Sequence, residues 1–214
     1  MSSYSHIIWD WNGTLLDDID WSIACINRML HKRKLRELDS IDDYHNVFGF
    51  PIIDYYRRLG FDFSIEPFDK LAIEYINYYH SNSSHIKIYP NTVDTLRDIS
   101  SFGISQNIIS ASEQSNLMSQ IIYFNISEYF DRILGISDIY ASSKLSIAQN
   151  YFLEVKPYKA LMIGDTIHDK EVADILGIDC ILINGGHQSK KELIKANATV
   201  IDSISDVKLY ISKI

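Results

Sequence analysis

From about residue 100 onward, short unbroken apolar runs alternate with stretches whose apolar residues recur every three or four positions. Residues 104–110 (ISQNIIS), 132–136, 160–164 (ALMIG), 179–183 and 199–201 have the continuous Ile, Leu, Val and Met character of strands buried on both faces. Residues 113–124, 143–153, 168–176, 190–196 and 204–211 have helical spacing instead. Strand and helix in alternation predict a parallel sheet with helices on both sides, a doubly wound, Rossmann-like α/β domain. A further strand, 6–11 (HIIWDW), stands near the N-terminus, yet the next α/β unit begins only near residue 87.

The stretch between follows a different period. Trp21, Cys25 and Met29, then Leu71, Tyr75, Tyr78 and Tyr79, fall three or four residues apart. This predicts a mostly helical insertion that leaves after the first strand and returns near Tyr89 and Pro90. The chain then divides into a core of residues 1–16 and 87–214 and a helical cap of residues 17–86.

Composition narrows the function classes. With 214 residues, 46% hydrophobic and only 9 Gly and 4 Pro, the chain can bury a core and is neither disordered nor collagen-like. A formal charge of -8 excludes a general affinity for nucleic acid or anionic lipid, so an anionic ligand has to be met at a local site. Cys25 and Cys180 lie far apart, outside any zinc-ligand spacing, and read as free buried thiols. The N-terminus lacks a basic stretch followed by a long apolar run, and no segment approaches the ~20 apolar residues of a membrane span. A soluble cytoplasmic protein, monomer or homodimer, with no nucleic-acid or membrane partner, is the expectation.

In an open parallel sheet, ligands collect beyond the carboxyl ends of the strands. Asp10 with Asn12-Gly13-Thr14, Ser110, Lys144, and Asp165 with Asp169 all stand at or just beyond such ends. Singly, each has an ordinary structural explanation: Asn-Gly makes turns, Ser110 can cap a helix, and a lone lysine is usually solvated. A carboxylate, a hydroxyl, a lysine and a carboxylate pair, in that order along successive strands, is a functional pattern.

In these residues the chain resembles the haloacid dehalogenase-like hydrolase superfamily. The first motif of its phosphatases, Asp-x-Asp-Gly-Thr, stands here as Asp10-Trp11-Asn12-Gly13-Thr14. The strand ending in Ser or Thr is Ile108-Ile109-Ser110, the motif lysine is Lys144, and Gly-Asp-x-x-x-Asp is met in full by Gly164 to Asp169. The resemblance implies a nucleophilic Asp10 that forms an aspartyl phosphate. It implies Mg²⁺ held by Asp10, Asp165, Asp169 and the backbone carbonyl of Asn12, and phosphate held by Gly13, Thr14, Ser110, Ala111 and Lys144. The physical chemistry agrees: the carboxylates would repel one another without a cation, and oxygen donors suit octahedral Mg²⁺.

The insertion corresponds to the family's C1 cap. Its segment from Gly49-Phe50-Pro51 to Arg57-Arg58-Leu59-Gly60 is similar to caps of the phosphoglycolate phosphatase branch. Arg57 and Arg58 are the expected contacts for an anionic substrate tail, and residues 15–18 and 87–90 are the expected hinge strands.

The chain departs from the family at position 12, where the family's phosphatases carry the Asp that protonates the leaving group and then activates water. Asn12 cannot exchange a proton near neutral pH, and losing such a group costs roughly 10²- to 10⁴-fold in rate. Four explanations stand open: a leaving group acidic enough to depart unprotonated, such as an acyl or aryl phosphate; a substitute histidine among His45, His168 and His187; deamidation of Asn12-Gly13; or phosphate binding without turnover. The expected function is a Mg²⁺-dependent phosphatase of a small phosphorylated metabolite, phosphoglycolate-like, slow or specialised because of Asn12. A phosphotransferase and a non-catalytic phosphate-binding regulatory protein are the alternatives.

Overall fold

The computed structural model describes residues 4–81, 85–137 and 144–211. In chain order the elements are β1 (His6–Trp9), β2 (Leu16–Asp17), α1 (Ile19–Lys32), α2 (Ile41–Val47), α3 (Ile52–Arg58), α4 (Phe68–Ser81), β3 (Lys87–Ile88), α5 (Thr92–Ser101) and β4 (Ser105–Glu113). Then follow α6 (Gln114–Tyr123), β5 (Arg132–Ile136), α7 (Leu145–Val155), β6 (Ala160–Gly164), α8 (Ile167–Leu176), β7 (Asp179–Ile183), α9 (Lys190–Lys195), β8 (Thr199–Ile201) and α10 (Val207–Ile211).

Among the described residues, six strands form one sheet in the order β5-β4-β1-β6-β7-β8, and every neighbouring pair is parallel. Successive side chains of a strand point to opposite faces, and here both faces are apolar. Ile7, Trp9, Ile108, Leu161 and Ile163 pack into one cluster, whereas Ile8, Ile109 and Met162 pack into the other. That is why these strands read as continuous apolar runs. β1 is central, with β4 and β5 on one side and β6, β7 and β8 on the other, so the direction of strand succession reverses at its carboxyl end. Doubly wound sheets bind their ligands at that point.

The insertion has its own core. Ile26, Met29, Leu30, Tyr44, Tyr56 and Leu71 cluster among helices α1 to α4 and the loops between them, apart from the clusters under the sheet. The chain enters and leaves this helical stretch on β2 and β3, which pair antiparallel, Leu16 with Ile88 and Asp17 with Lys87.

Several boundaries differ from the expectation. β1 ends at Trp9, which leaves Asp10 as the first residue beyond it. β4 runs past Ser110 to Glu113, with an irregularity in its pairing to β5 between Ile109 and Glu113. Helix α5 is not among the predicted elements, because Thr92 and Thr95 take buried positions beside Leu96 and Ile99 and weaken the apolar periodicity. The predicted 204–211 helix is a 3₁₀ turn, Ile204–Asp206, followed by α10. Ser143, the predicted start of α7, lies outside the described residues. Cys25 is buried and Cys180 half-buried, both as free thiols. No helix among the described residues is long and apolar enough to cross a membrane.

Candidate active site

The acidic residues converge at the carboxyl ends of β1 and β6. Asp10 continues the line of β1, its N–H donating to the Ile163 carbonyl at 2.8 Å. Asp165 is the first residue beyond β6, and Asp169 lies in the first turn of α8. One oxygen of each of Asp10, Asp165 and Asp169 lies within 4.8 Å of the others. Lys144, at the N-terminus of α7, sends its ammonium between them and donates to both Asp10 and Asp169.

The second layer fixes these groups. Asp165 accepts from the Thr14 hydroxyl at 3.0 Å and from the His187 N–H at 2.6 Å. Asp169 accepts from the N–H of Thr166 at 2.9 Å and from its hydroxyl at 2.7 Å. Glycine is required where the backbone crowds Asp165: Gly13 has φ 72°, and a Cβ there would stand 2.2 Å from Asp165 Oδ2. A Cβ on Gly186 would stand 2.3 Å from the same oxygen. Side chains at either position would displace the carboxylate.

The electrostatics follow from burial. Burial pushes the Asp10 carboxyl up to about 7 against the pull of Lys144, with Asp169 and Asp165 adding to the rise. Burial likewise pushes Asp165 up to about 6, opposed by His187. Burial opposes ionisation of Asp169 too, but Lys144 and the bonds from Thr166 hold it below the usual carboxylate range. If ionised, Asp10, Asp18, Asp165 and Asp169 outnumber the enclosed cations Lys144 and His187 by two charges. Three converging carboxylates with hard oxygen donors and a surplus of two negative charges fit a divalent cation of the Mg²⁺ type.

Asn12 is locked by its neighbours. Its amide nitrogen donates to Asp18 Oδ2 at 2.8 Å and to the Tyr79 hydroxyl at 3.1 Å, while its Oδ1 accepts from the Ser112 hydroxyl at 2.6 Å. Tyr79 in turn donates to Asp18 Oδ2 at 2.7 Å. The amide's orientation is thereby determined, and the negative charge beside it sits on Asp18. That carboxylate is 2% exposed and pairs with His187 Nε2 at 3.2 Å, while His187 Nδ1 shares a 2.7 Å hydrogen bond with the Tyr44 hydroxyl. Burial alone would lower His187, but Asp18 overcomes it and holds the imidazolium up to about 9. Replacing His187 by Leu leaves Asp18 buried beside an apolar group, and we expect a loss of about 3 kcal/mol in urea unfolding at neutral pH. An unchanged unfolding midpoint would show that the pair carries no stability.

The other expected residues divide. Ser110 and Ala111 line the cleft with Asp10, Asn12 and Lys144, and Ser110 Oγ accepts from Ser112 N–H at 3.0 Å. Gly13 and Thr14 stand behind the carboxylates: Thr14 is fully buried on Asp165, and Gly13 N–H donates to Asp18. Arg57 and Arg58 are not brought to this cleft. Arg57 pairs with Asp54 on its own helix and lies over Phe63, and Arg58 donates to the Val47 carbonyl and lines an adjoining cavity of about 460 Å³ that shares Phe48, Phe50 and His168 with the cleft. Of the candidate histidines, His168 and His187 line the cleft, whereas His45 hydrogen-bonds the Gly186 carbonyl at 2.9 Å. Asp18, Tyr79, Tyr44 and Ser112 are site residues that motif reading does not reveal.

The model of the haloacid dehalogenase-like hydrolases matches residues 7–183, and the chain belongs to that family of hydrolases. It is similar to a phosphoglycolate phosphatase of Pseudomonas fluorescens, 23% identical over 92% of this chain and 76% of that protein. Tyrosine-protein kinase PtkA of Mycobacterium tuberculosis is 21% identical over 91% of this chain and 67% of its own length. Among solved structures, a haloacid dehalogenase-like hydrolase from Streptococcus pneumoniae superposes with a TM-score of 0.83 at 21% identity, covering 97% of this chain and 98% of the other.

Proposed function

We propose that the protein is a Mg²⁺-dependent phosphomonoester hydrolase that works through an aspartyl phosphate on Asp10. The observation that carries this reading is the convergence of Asp10, Asp165 and Asp169 within 4.8 Å of one another, with the Lys144 ammonium on Asp10 and Asp169. Family membership and the phosphatases among its relatives support it.

Asp10, Asp165 and Asp169, with the backbone carbonyl of Asn12, would hold the ion, which when bound neutralises the nucleophile and the phosphate together. Lys144 and the groups at Ser110 and Ala111 hold the phosphoryl oxygens, so that Asp10 meets phosphorus opposite the leaving oxygen. Thr14 and the His187 N–H orient Asp165, and Thr166 orients Asp169. Asn12 orients but exchanges no proton, so esters with poor leaving groups turn over slowly. A phosphoglycolate-like substrate draws its support from the relatives' names, because neither arginine expected to meet its carboxylate lines the cleft itself.

Asn12 also favours a second reading. Without a base to activate water, an aspartyl phosphate lasts longer and can pass its phosphoryl group to another acceptor, and PtkA among the relatives is named as a kinase. Adding an alcohol acceptor should divert phosphate from water if transfer is the main activity. The first test of both readings is chelation. Removing divalent metal should abolish turnover of a generic phosphomonoester, and added Mg²⁺ should restore it. Turnover that survives chelation would contradict the metal site.

A further inference from the structure

The space above the phosphoryl site states which ester can occupy it. The whole cleft, phosphate-holding end included, has a volume of about 170 Å³; roughly 150 Å³ accepts a benzene ring, so beside a phosphoryl group there is room for at most a single ring. Away from the phosphate-holding end, Phe48, Phe50, Ile52, Tyr75 and Ile76 give it an apolar, largely aromatic wall, with Ser22, His80, Glu113 and Gln120 as polar groups on its rim. The cations it encloses, Lys144 and His187, are each already paired with carboxylates. A short anionic tail would meet no guanidinium there among the described residues. An aromatic ring would meet faces and edges of other rings.

The leaving-group chemistry leads to the same class independently. Position 12 offers an amide whose three hydrogen bonds are fixed. Both ring nitrogens of His187 are engaged by Asp18 and Tyr44. His168 lies stacked on Phe50, ring centroids 4.7 Å apart, and burial keeps His80 towards its neutral form. The site therefore favours an oxygen that can leave as an anion. A phenol ionises near 10, as tyrosine does, whereas an alkyl alcohol is close to water in acidity, near 16.

Resting on the phosphatase reading, we infer that the substrate is an aryl phosphomonoester, with its single ring held between Phe50 and the Tyr75 side of the cleft. An oxygen of Asp10 bonds to phosphorus while the P–O(aryl) bond breaks, its electron pair leaving on the phenolate, which takes a proton from solvent. Water then bonds to phosphorus and gives one proton to solvent, the P–O(Asp10) bond breaks with its pair returning to the carboxylate, and phosphate leaves with the water's other proton.

The test compares phenyl phosphate, acetyl phosphate and ethyl phosphate on the intact protein with Mg²⁺, beside Asp10→Asn. Phenyl phosphate should exceed ethyl phosphate in kcat/KM by about 10²-fold or more. It should also show a lower KM than acetyl phosphate, whose leaving group is acidic but carries no ring. Phe50→Ala should raise the KM for phenyl phosphate by about fivefold, with circular dichroism checking that the variant is folded. Ethyl phosphate turned over as fast as phenyl phosphate, with Asp10→Asn inactive, would overturn the aryl assignment and leave the phosphatase reading intact. Equal KM values for phenyl and acetyl phosphate would overturn ring recognition. Full activity in Asp10→Asn, or no turnover of any ester, would overturn both.

Discussion

Replacing Asp10 by Asn is expected to reduce phosphomonoester hydrolysis to background and, at the same time, to raise the melting temperature of the metal-free protein. The first effect follows from removing the nucleophile. The second follows from burial, because Asp10 sits with Asp165 and Asp169 inside 4.8 Å, and its carboxyl is pushed up to about 7 by burial and by those neighbours despite Lys144. An acid whose folded pKa exceeds its unfolded value lowers stability increasingly as pH rises from about 4 to about 7. The metal-free wild type should lose stability across that window, and Asp10→Asn should lose less. At pH 8 the variant should be more stable by on the order of 2 kcal/mol, or roughly 4 to 8 °C for a chain of this size. Mg²⁺ should raise the melting temperature of the wild type far more than that of the variant. Differential scanning calorimetry at pH 5 and pH 8, with and without Mg²⁺, measures all of this. A metal-free variant less stable than wild type at pH 8 would show that the carboxylates do not oppose one another.

Replacing Asn12 by Asp should speed hydrolysis of an alkyl phosphate by about 10²- to 10⁴-fold, and it should destabilise the protein. The amide that now donates to Asp18 at 2.8 Å would become a second carboxyl facing a buried carboxylate. We expect a cost of about 2 kcal/mol, the scale of a buried hydrogen bond turned into a repulsive contact. Adding Asp18→Asn exchanges the two groups: the amide introduced at position 18 would donate to the new carboxylate at position 12 and to the Tyr79 oxygen, while its own carbonyl could still accept from Gly13 N–H. The double variant should keep the rate gain and recover the part of the loss that comes from repulsion between positions 12 and 18, while the His187 pair with Asp18 stays broken. Rates on alkyl esters together with urea unfolding of the singles and the double form the cycle. Additive losses would show that positions 12 and 18 do not share the charge, and equal rates for wild type and Asn12→Asp on every ester would show that no proton donor is missing.

These two residues also mark what a sequence can disclose. The strands were legible because both faces of each are buried, which writes continuous apolar runs at 160–164 and 179–183. The metal-type carboxylates and Lys144 were legible because each follows a strand, and parallel topology sends all strand ends to one side. Asp18 was not, since its position before α1 looks like an ordinary helix start, and nothing local says that it will receive His187 from beyond β7. Tyr79 occupies a regular apolar position of α4, and only the packing of the insertion against the core turns its hydroxyl towards Asn12, 67 residues away. Arg57 and Arg58 show how far residue type alone falls short of placement. Two adjacent arginines suggest an anion site, but successive helix residues point in different directions, and these reach Asp54 and the Val47 carbonyl instead of the cleft. Thr92 and Thr95 concealed α5 in the same way, by placing hydroxyls where periodicity calls for carbon.

The most direct measurement is chemical trapping of the phosphorylated residue. The protein is incubated with phenyl phosphate and Mg²⁺, quenched, reduced with borohydride and analysed by peptide mass spectrometry. Conversion of Asp10 to homoserine, absent without substrate and absent without Mg²⁺, is the predicted result. Product accumulating while Asp10 stays unmodified, or the same conversion at another carboxylate, would contradict a nucleophilic Asp10.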